Sequence, residues 1–279
     1  MECEGKKADA CPVPAAGARI SWPRLVLWLP AAAMLGAIAA WVAVLAEAYF
    51  APWLIFPILV GVGLGGVLVG ALRFGQIGHR PTIFAGILAA VAVAVVGQHY
   101  AAYHLTVVER RKLSEKALLR PEIPLGLGDR LVPAPPGFLE DLKQRAERGW
   151  HVRSHLVQGW EAWAMWDIDA LLVLMAALAM AVPAARQPYC DGCRSWYRTV
   201  RSGRIGAAVA KRLAELAAME IGTPARSGRF RLSSCHGGCG PTRLELSWEE
   251  ADGRTFLNVA WLDRQQRDLV MHELDTDLR

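Results

Sequence analysis

The chain is 279 residues long, 53% hydrophobic, and carries a formal net charge of +5. That length holds one or two domains, and the hydrophobic share stands only modestly above a globular average. Its apolar residues are gathered into a few long runs, with the charges in blocks between and after them, a distribution that argues against an evenly patterned globule and for a membrane protein. The basic excess does not single out nucleic acid as a partner, because bases flanking apolar helices are expected for topology alone.

Residues 1–24 read as a polar tail holding Lys6, Lys7, Arg19 and Arg24. Residues 25–103 read as three transmembrane helices. The first apolar run, Leu25 to Ala46, has no charge over its length and reaches across a hydrocarbon core of ~30 Å. Ala46-Glu47-Ala48 has the small-x-small form of a signal cleavage site. The long leader and the long apolar core favour an uncleaved anchor instead.

The second run, Trp53 to Leu72, contains Gly61/Gly65 and Gly66/Gly70, two small-xxx-small spacings. The third, about Ile83 to Tyr103, carries Gly86, Ala90 and Ala94. Small residues let backbones approach closely in lipid. The short link Arg73–Arg80 predicts that these two helices are antiparallel neighbours packed through those faces. A dimerisation face, and so a homo-oligomer, is the functional reading of the same pattern.

Residues 104–165 read as a helical stalk. No glycine or proline interrupts Gln98 to Arg120, so helix three is expected to run on out of the membrane. Pro121 to Gly137 cannot be one regular helix. Phe138 to Trp166 returns to spacings of three and four and predicts a second long helix. Together these predict an antiparallel helical hairpin under a proline-rich loop, a surface for a protein partner or simply for itself. Residues 166–185 read as the fourth transmembrane helix, its apolar run from about Ile168 to Val182, with Trp160, Trp163 and Trp166 suited to the interface.

Bases in the tail and in the Arg73–Arg80 link, and none in the Glu47–Pro52 link, place both termini in the cytoplasm by the positive-inside rule. Glu109-Arg110-Arg111-Lys112 disagrees, but lies in a segment long enough for that rule to weaken. The polar residues Glu47, Gln98, His99, His104, Asp167 and Asp169 fall at helix ends, where a metal or proton site competes with an ordinary membrane boundary.

Residues 186–279 read as a soluble α+β domain. A helix is expected over Ile205 to Glu220, strands over Phe230–Ser234, Thr242–Trp248 and Thr255–Trp261, and then a polar, partly helical tail. Six bases and no acid lie between Arg194 and Ala214, a stripe that suits a solvated face or anionic headgroups. Cys190-Asp191-Gly192-Cys193 and Cys235-His236-Gly237-Gly238-Cys239 form two tight pairs, the second at the tip of an expected hairpin. Two such turns can converge on one tetrahedral ion. Redox thiols are the rival reading of the C-x-x-C, with Arg194 and Arg198 near enough to lower a thiol pKa.

The two turns resemble zinc-ribbon and zinc-knuckle modules. That resemblance implies Cys190, Cys193, Cys235 and Cys239 as metal ligands and Zn as the ion. His236 could replace one cysteine, but its position beside Cys235 favours a bystander. The long, helix-containing spacer and the three-residue gap in the second pair depart from the commonest ribbon. As a whole the chain resembles bacterial multi-pass proteins, which implies the inner membrane, in contact with the lipid bilayer. P-loop, G-x-G-x-x-G, H-E-x-x-H and G-x-S-x-G motifs are absent, so the chain reads as a non-enzymatic interaction or sensing protein. A membrane-tethered thiol-disulfide oxidoreductase using Cys190/Cys193 and a transporter or channel subunit are the alternatives.

Overall fold

A computed structural model of the chain describes residues 22–47, 49, 54–118, 136–152, 154–219, 227–249 and 255–277. The chain divides into two units. One comprises Ser21–Ala71 and Pro81–Ala184; the other takes in Leu72–Arg80 together with Ala185–Arg279.

The first unit is built on apolar helices. These are α1 (Trp22–Glu47), α2 (Ile55–Phe74), α3 (Arg80–Leu118) and, further along the chain, α5 (Trp160–Ala185). Each contains a stretch long and apolar enough to cross a membrane. At ~1.5 Å per residue α3 is far longer than a hydrocarbon core requires, and it runs on past Tyr103 as the lack of glycine and proline from Gln98 onward predicts.

The small residues pack in a different pattern from the one expected. A Cβ at Gly65 would stand 2.9 Å from the Ala177 Cα of α5, and one at Gly61 would strike Val173 and Ala176 of the same helix. Gly86 instead admits the Trp28 indole of α1, and Gly36 of α1 closes on the Ala90 backbone. The Trp28 Nε1–H donates to the Thr82 carbonyl at 3.1 Å, fixing α1 against α3. So Gly61 and Gly65 of α2 meet α5, and the glycines of α3 meet α1. Chain adjacency alone does not choose which face of a helix finds which neighbour. Gly66 and Gly70 meet nothing within 4 Å.

The long helix expected over Phe138–Trp166 does not form. Helix α4 (Phe138–Arg148) ends at Gly149, whose φ of 62° and ψ of −173° form an extended positive-φ conformation that essentially only glycine adopts and that cannot continue a helix. A short antiparallel hairpin follows, β1 (Trp150–Val152) with β2 (His155–Val157), and Gly159, also at positive φ, precedes α5. The apolar spacing is still satisfied, because Val157 buries with Ala146 and Ala162 beneath Trp150 and Trp166. Nor does a hairpin stand off along the far end of α3. Phe138 packs at its start against Tyr100 and Tyr103, and the Tyr103 hydroxyl donates to the Pro136 carbonyl at 2.9 Å. Most of the proline-rich loop lies outside the described residues.

In the second unit β3 (Tyr189–Cys190) pairs with β4 (Ser195–Trp196). A four-stranded antiparallel sheet follows in the order β5 (Arg198–Ile205), β6 (Gly228–Ser234), β7 (Thr242–Glu249) and β8 (Thr255–Leu262). Helices α6 (Ala207–Leu216) and α7 (Arg264–Asp277) share a core with one face, where Phe230, Leu232, Leu244, Leu246 and Leu262 bury against Leu213, Val270 and Leu274. An Asp263/Gln266 capping box starts α7, each side chain bonding the other's backbone N–H at 2.7 and 3.1 Å.

The three expected strands are present. The expected helix begins two residues late, because Ile205 ends β5 instead; of the basic stripe, Arg198, Arg201 and Arg204 lie on that strand and Lys211 and Arg212 on the helix. A bulge at Val200 resets its register, and Arg201 then turns toward α7 to pair with Asp275 at 2.5 Å.

Candidate metal centre

Two short turns build the centre. The first hangs from the β3–β4 ribbon, whose rungs are Tyr189↔Trp196 and Cys190↔Ser195. The second joins β6 to β7, where Gly238, at φ 60°, allows the chain to reverse between Cys235 and Cys239. All four sulfurs lie within 4.8 Å of one another. Cys190 Sγ stands 3.5 Å from Cys239 Sγ, and Cys235 Sγ stands 3.9 Å from it. Four sulfurs bound tetrahedrally at ~2.3 Å from one ion would be about 3.8 Å apart, whereas a disulfide bond is only about 2 Å long. The spacing therefore fits a tetrathiolate that could hold a metal ion.

Surrounding groups hold the sulfurs in place. The Gly240 N–H donates to Cys235 Sγ at 3.3 Å. A Cβ at Gly240 would come within 2.7 Å of the Tyr197 hydroxyl and 3.4 Å of Cys190 Sγ, so this position excludes side chains. The Tyr197 hydroxyl donates to the Pro241 carbonyl at 2.9 Å, and its ring meets Trp261 edge-on. Cys190, Cys235 and Tyr197 are buried together there.

The four thiols are electrostatically unequal. Burial pushes Cys190 up, and burial together with the neighbouring sulfurs pushes Cys239 up further. Burial also acts on Cys193, but hydrogen bonds from the Ser195 hydroxyl and the Gly237 backbone, then from the Cys190 and Cys239 thiols, outweigh it and bring Cys193 to about 6. The Tyr197 phenol is raised by burial and then by the four sulfurs around it, which keeps it a neutral donor.

All four ligands expected from the sequence come together. His236 is exposed and outside the cluster, and Cys3 and Cys11 lie outside the described residues. Ser195, Tyr197, Gly240 and Trp261 belong to the centre without having been expected there. The one sequence signal was position, Ser195 two residues past Cys193 and Gly240 directly after Cys239. The Leu72–Arg80 link packs alongside. The Tyr189 hydroxyl donates to the Gln76 carbonyl at 2.8 Å, Arg73 donates to the Gln187 side chain at 3.1 Å, and Gly78 leaves room for the Tyr189 ring.

The helical unit has its own cavity, of about 740 Å³, and Glu47, Gln98, His99 and Asp169 line it. His104 instead lies edge-on to Trp41, and Asp167 is exposed. Among the described residues this group does not bring ligand atoms together as the cysteines do. No protein-family model, curated protein or solved structure matches the chain.

Proposed function

We propose that the chain spans a bacterial cytoplasmic membrane four times, with both termini in the cytoplasm, and presents a zinc-stabilised C-terminal domain for interaction or sensing. The observation that carries this reading is the convergence of four cysteine sulfurs within 4.8 Å of one another. Four thiolates fill the coordination sphere of zinc and leave no open position for a substrate, the hallmark of a structural site. A reducing compartment keeps such thiols available for metal. The topology draws support from the bases of the Arg73–Arg80 link, and from the membership of that link in one unit with Ala185–Arg279, as expected for segments on the same side of a membrane.

Metal analysis of the purified full chain tests the assignment. About one zinc per chain is expected, lost on Cys190→Ser or Cys235→Ser. Bound iron would overturn the choice of metal. The low pKa of Cys193 favours a second reading, a membrane-tethered thiol-disulfide oxidoreductase. That role requires a metal-free protein with a reversible Cys190–Cys193 disulfide. A transporter or channel role draws on the cavity at Glu47, His99 and Asp169, and would need solute flux in proteoliposomes that Asp169→Ala abolishes.

A further inference from the structure

Strands β5 and β6 set like charges against each other. Arg204 lies directly opposite Arg229, and Ser202 opposite Arg231. The same two rungs continue across the sheet as Arg229↔Ser247↔Leu257 and Arg231↔Glu245↔Val259. They alternate with the row of Gly203, Phe230 and Leu246, whose Phe230 and Leu246 bury in the helix-covered core, so they belong to the opposite face. Arg204, Arg229 and Arg231 are all exposed.

Directly opposed like charges destabilise a sheet, and little nearby relieves them. Glu245 is 4.0 Å from Arg231, but it is already engaged by Arg243 at 2.8 Å. Neither Arg204 nor Arg229 makes an ion pair with an acid among the described residues. Glu245 therefore offsets Arg231 only in part, and Arg204 and Arg229 have no counter-charge among the described residues.

The same arginines line an open cavity of about 560 Å³ with Ser202, Ser247 and Glu245, whose carboxylate is held by Arg243. Leu257, 63% exposed, supplies an apolar patch beside them. We propose that this cavity binds a small phosphate-bearing molecule, with Arg204, Arg229 and Arg231 holding the phosphate. Guanidinium groups offer paired donors matched to phosphate oxygens. Serine hydroxyls add donors, and Leu257 receives the less polar part of the ligand. The volume falls in the range of small-molecule sites. An anion seated there relieves the Arg204–Arg229 repulsion that the empty sheet tolerates. The site stands apart from the cysteine centre. Arg229 and Cys235 are six residues apart along the chain from β6, a separation of ~20 Å in an extended strand, and the inference holds whether or not zinc is the ion.

Phenylglyoxal modification read by mass spectrometry tests this on the full chain in phosphatidylcholine nanodiscs. Inorganic pyrophosphate is expected to slow modification of Arg204, Arg229 and Arg231 about tenfold, with exposed Arg264 unchanged. Sodium chloride at matched ionic strength should not. Protection seen only in nanodiscs containing phosphatidylglycerol, without pyrophosphate, would assign the phosphate to a lipid headgroup. The double variant Arg204→Gln/Arg229→Gln should lose the protection of Arg231 and melt at the same or a higher temperature. Three results would overturn the proposal: equal protection by chloride, arginines already unreactive in the bare protein, or a double variant that melts lower because the guanidiniums serve the fold.

Discussion

Burial alone would raise the Cys193 thiol, yet the Ser195 hydroxyl at 3.0 Å and the Gly237 backbone bring it down to about 6. The sign of the pH dependence follows directly. A lowered pKa means that the metal-stripped protein exposes a Cys193 thiolate above about pH 6, while Cys190 and Cys239, both raised, remain thiols there. Thiolates are the nucleophiles. Iodoacetamide should therefore label Cys193 first, at a rate that climbs through about pH 6 and then levels off. Ser195→Ala removes one bond to a charged sulfur, worth ~1.5–3 kcal/mol, and should move that midpoint up by at least about one unit. Four thiols labelling alike, with a common midpoint near the ordinary ~8.5, would contradict the geometry. Little of this asymmetry could be read from the sequence. C-x-x-C spacing identifies the ligands, but Ser195 and Gly237 reach the same sulfur from different turns, and only the fold brings them together.

Helix pairing poses the same problem at the scale of elements. Gly65 of α2 has the Ala177 Cα at 2.9 Å and the Met180 Cβ at 3.0 Å from where its own Cβ would be, whereas Gly70 meets nothing within 4 Å. Gly65→Leu should therefore force α2 off α5 at a cost of about 1–3 kcal/mol, and Gly70→Leu should not. Thermal unfolding in detergent separates them; equal losses would show that the α2–α5 contact is wrong. The apolar runs and the three strands around the second cysteine pair were all legible, because each has a long or strictly alternating pattern. Two elements were not. The β1–β2 hairpin keeps apolar residues at helix-like spacing, and only Gly149 and Gly159, both at positive φ, mark its ends. Strand β5 reads RTVRSGRI with charge on both faces. One face meets α7 through Arg201 and the other opens to solvent, so no hydrophobic alternation marks it as a strand.

At the scale of the whole molecule, the even number of candidate spans among the described residues and the charge bias make one connected prediction. With both termini inside, Tyr49 before α2 lies outside, Phe74 at the end of α2 lies inside, and Leu113 near the end of α3 lies outside again. All three are exposed, at 92%, 94% and 61%, so a cysteine at each would be reachable by reagent. In a background lacking native cysteines, a membrane-impermeant maleimide applied to intact cells should label Tyr49→Cys and Leu113→Cys, and should reach Phe74→Cys only after lysis. Leu113 is the decisive position. Arg110, Arg111 and Lys112 beside it favour the inside by charge, whereas the continuous helix from Arg80 to Leu118 carries it to the side opposite Phe74 if α3 crosses. Labelling of Phe74→Cys from outside with Leu113→Cys protected would invert the topology and move the four cysteines to an oxidising compartment, where disulfides displace metal as the stable state of those thiols.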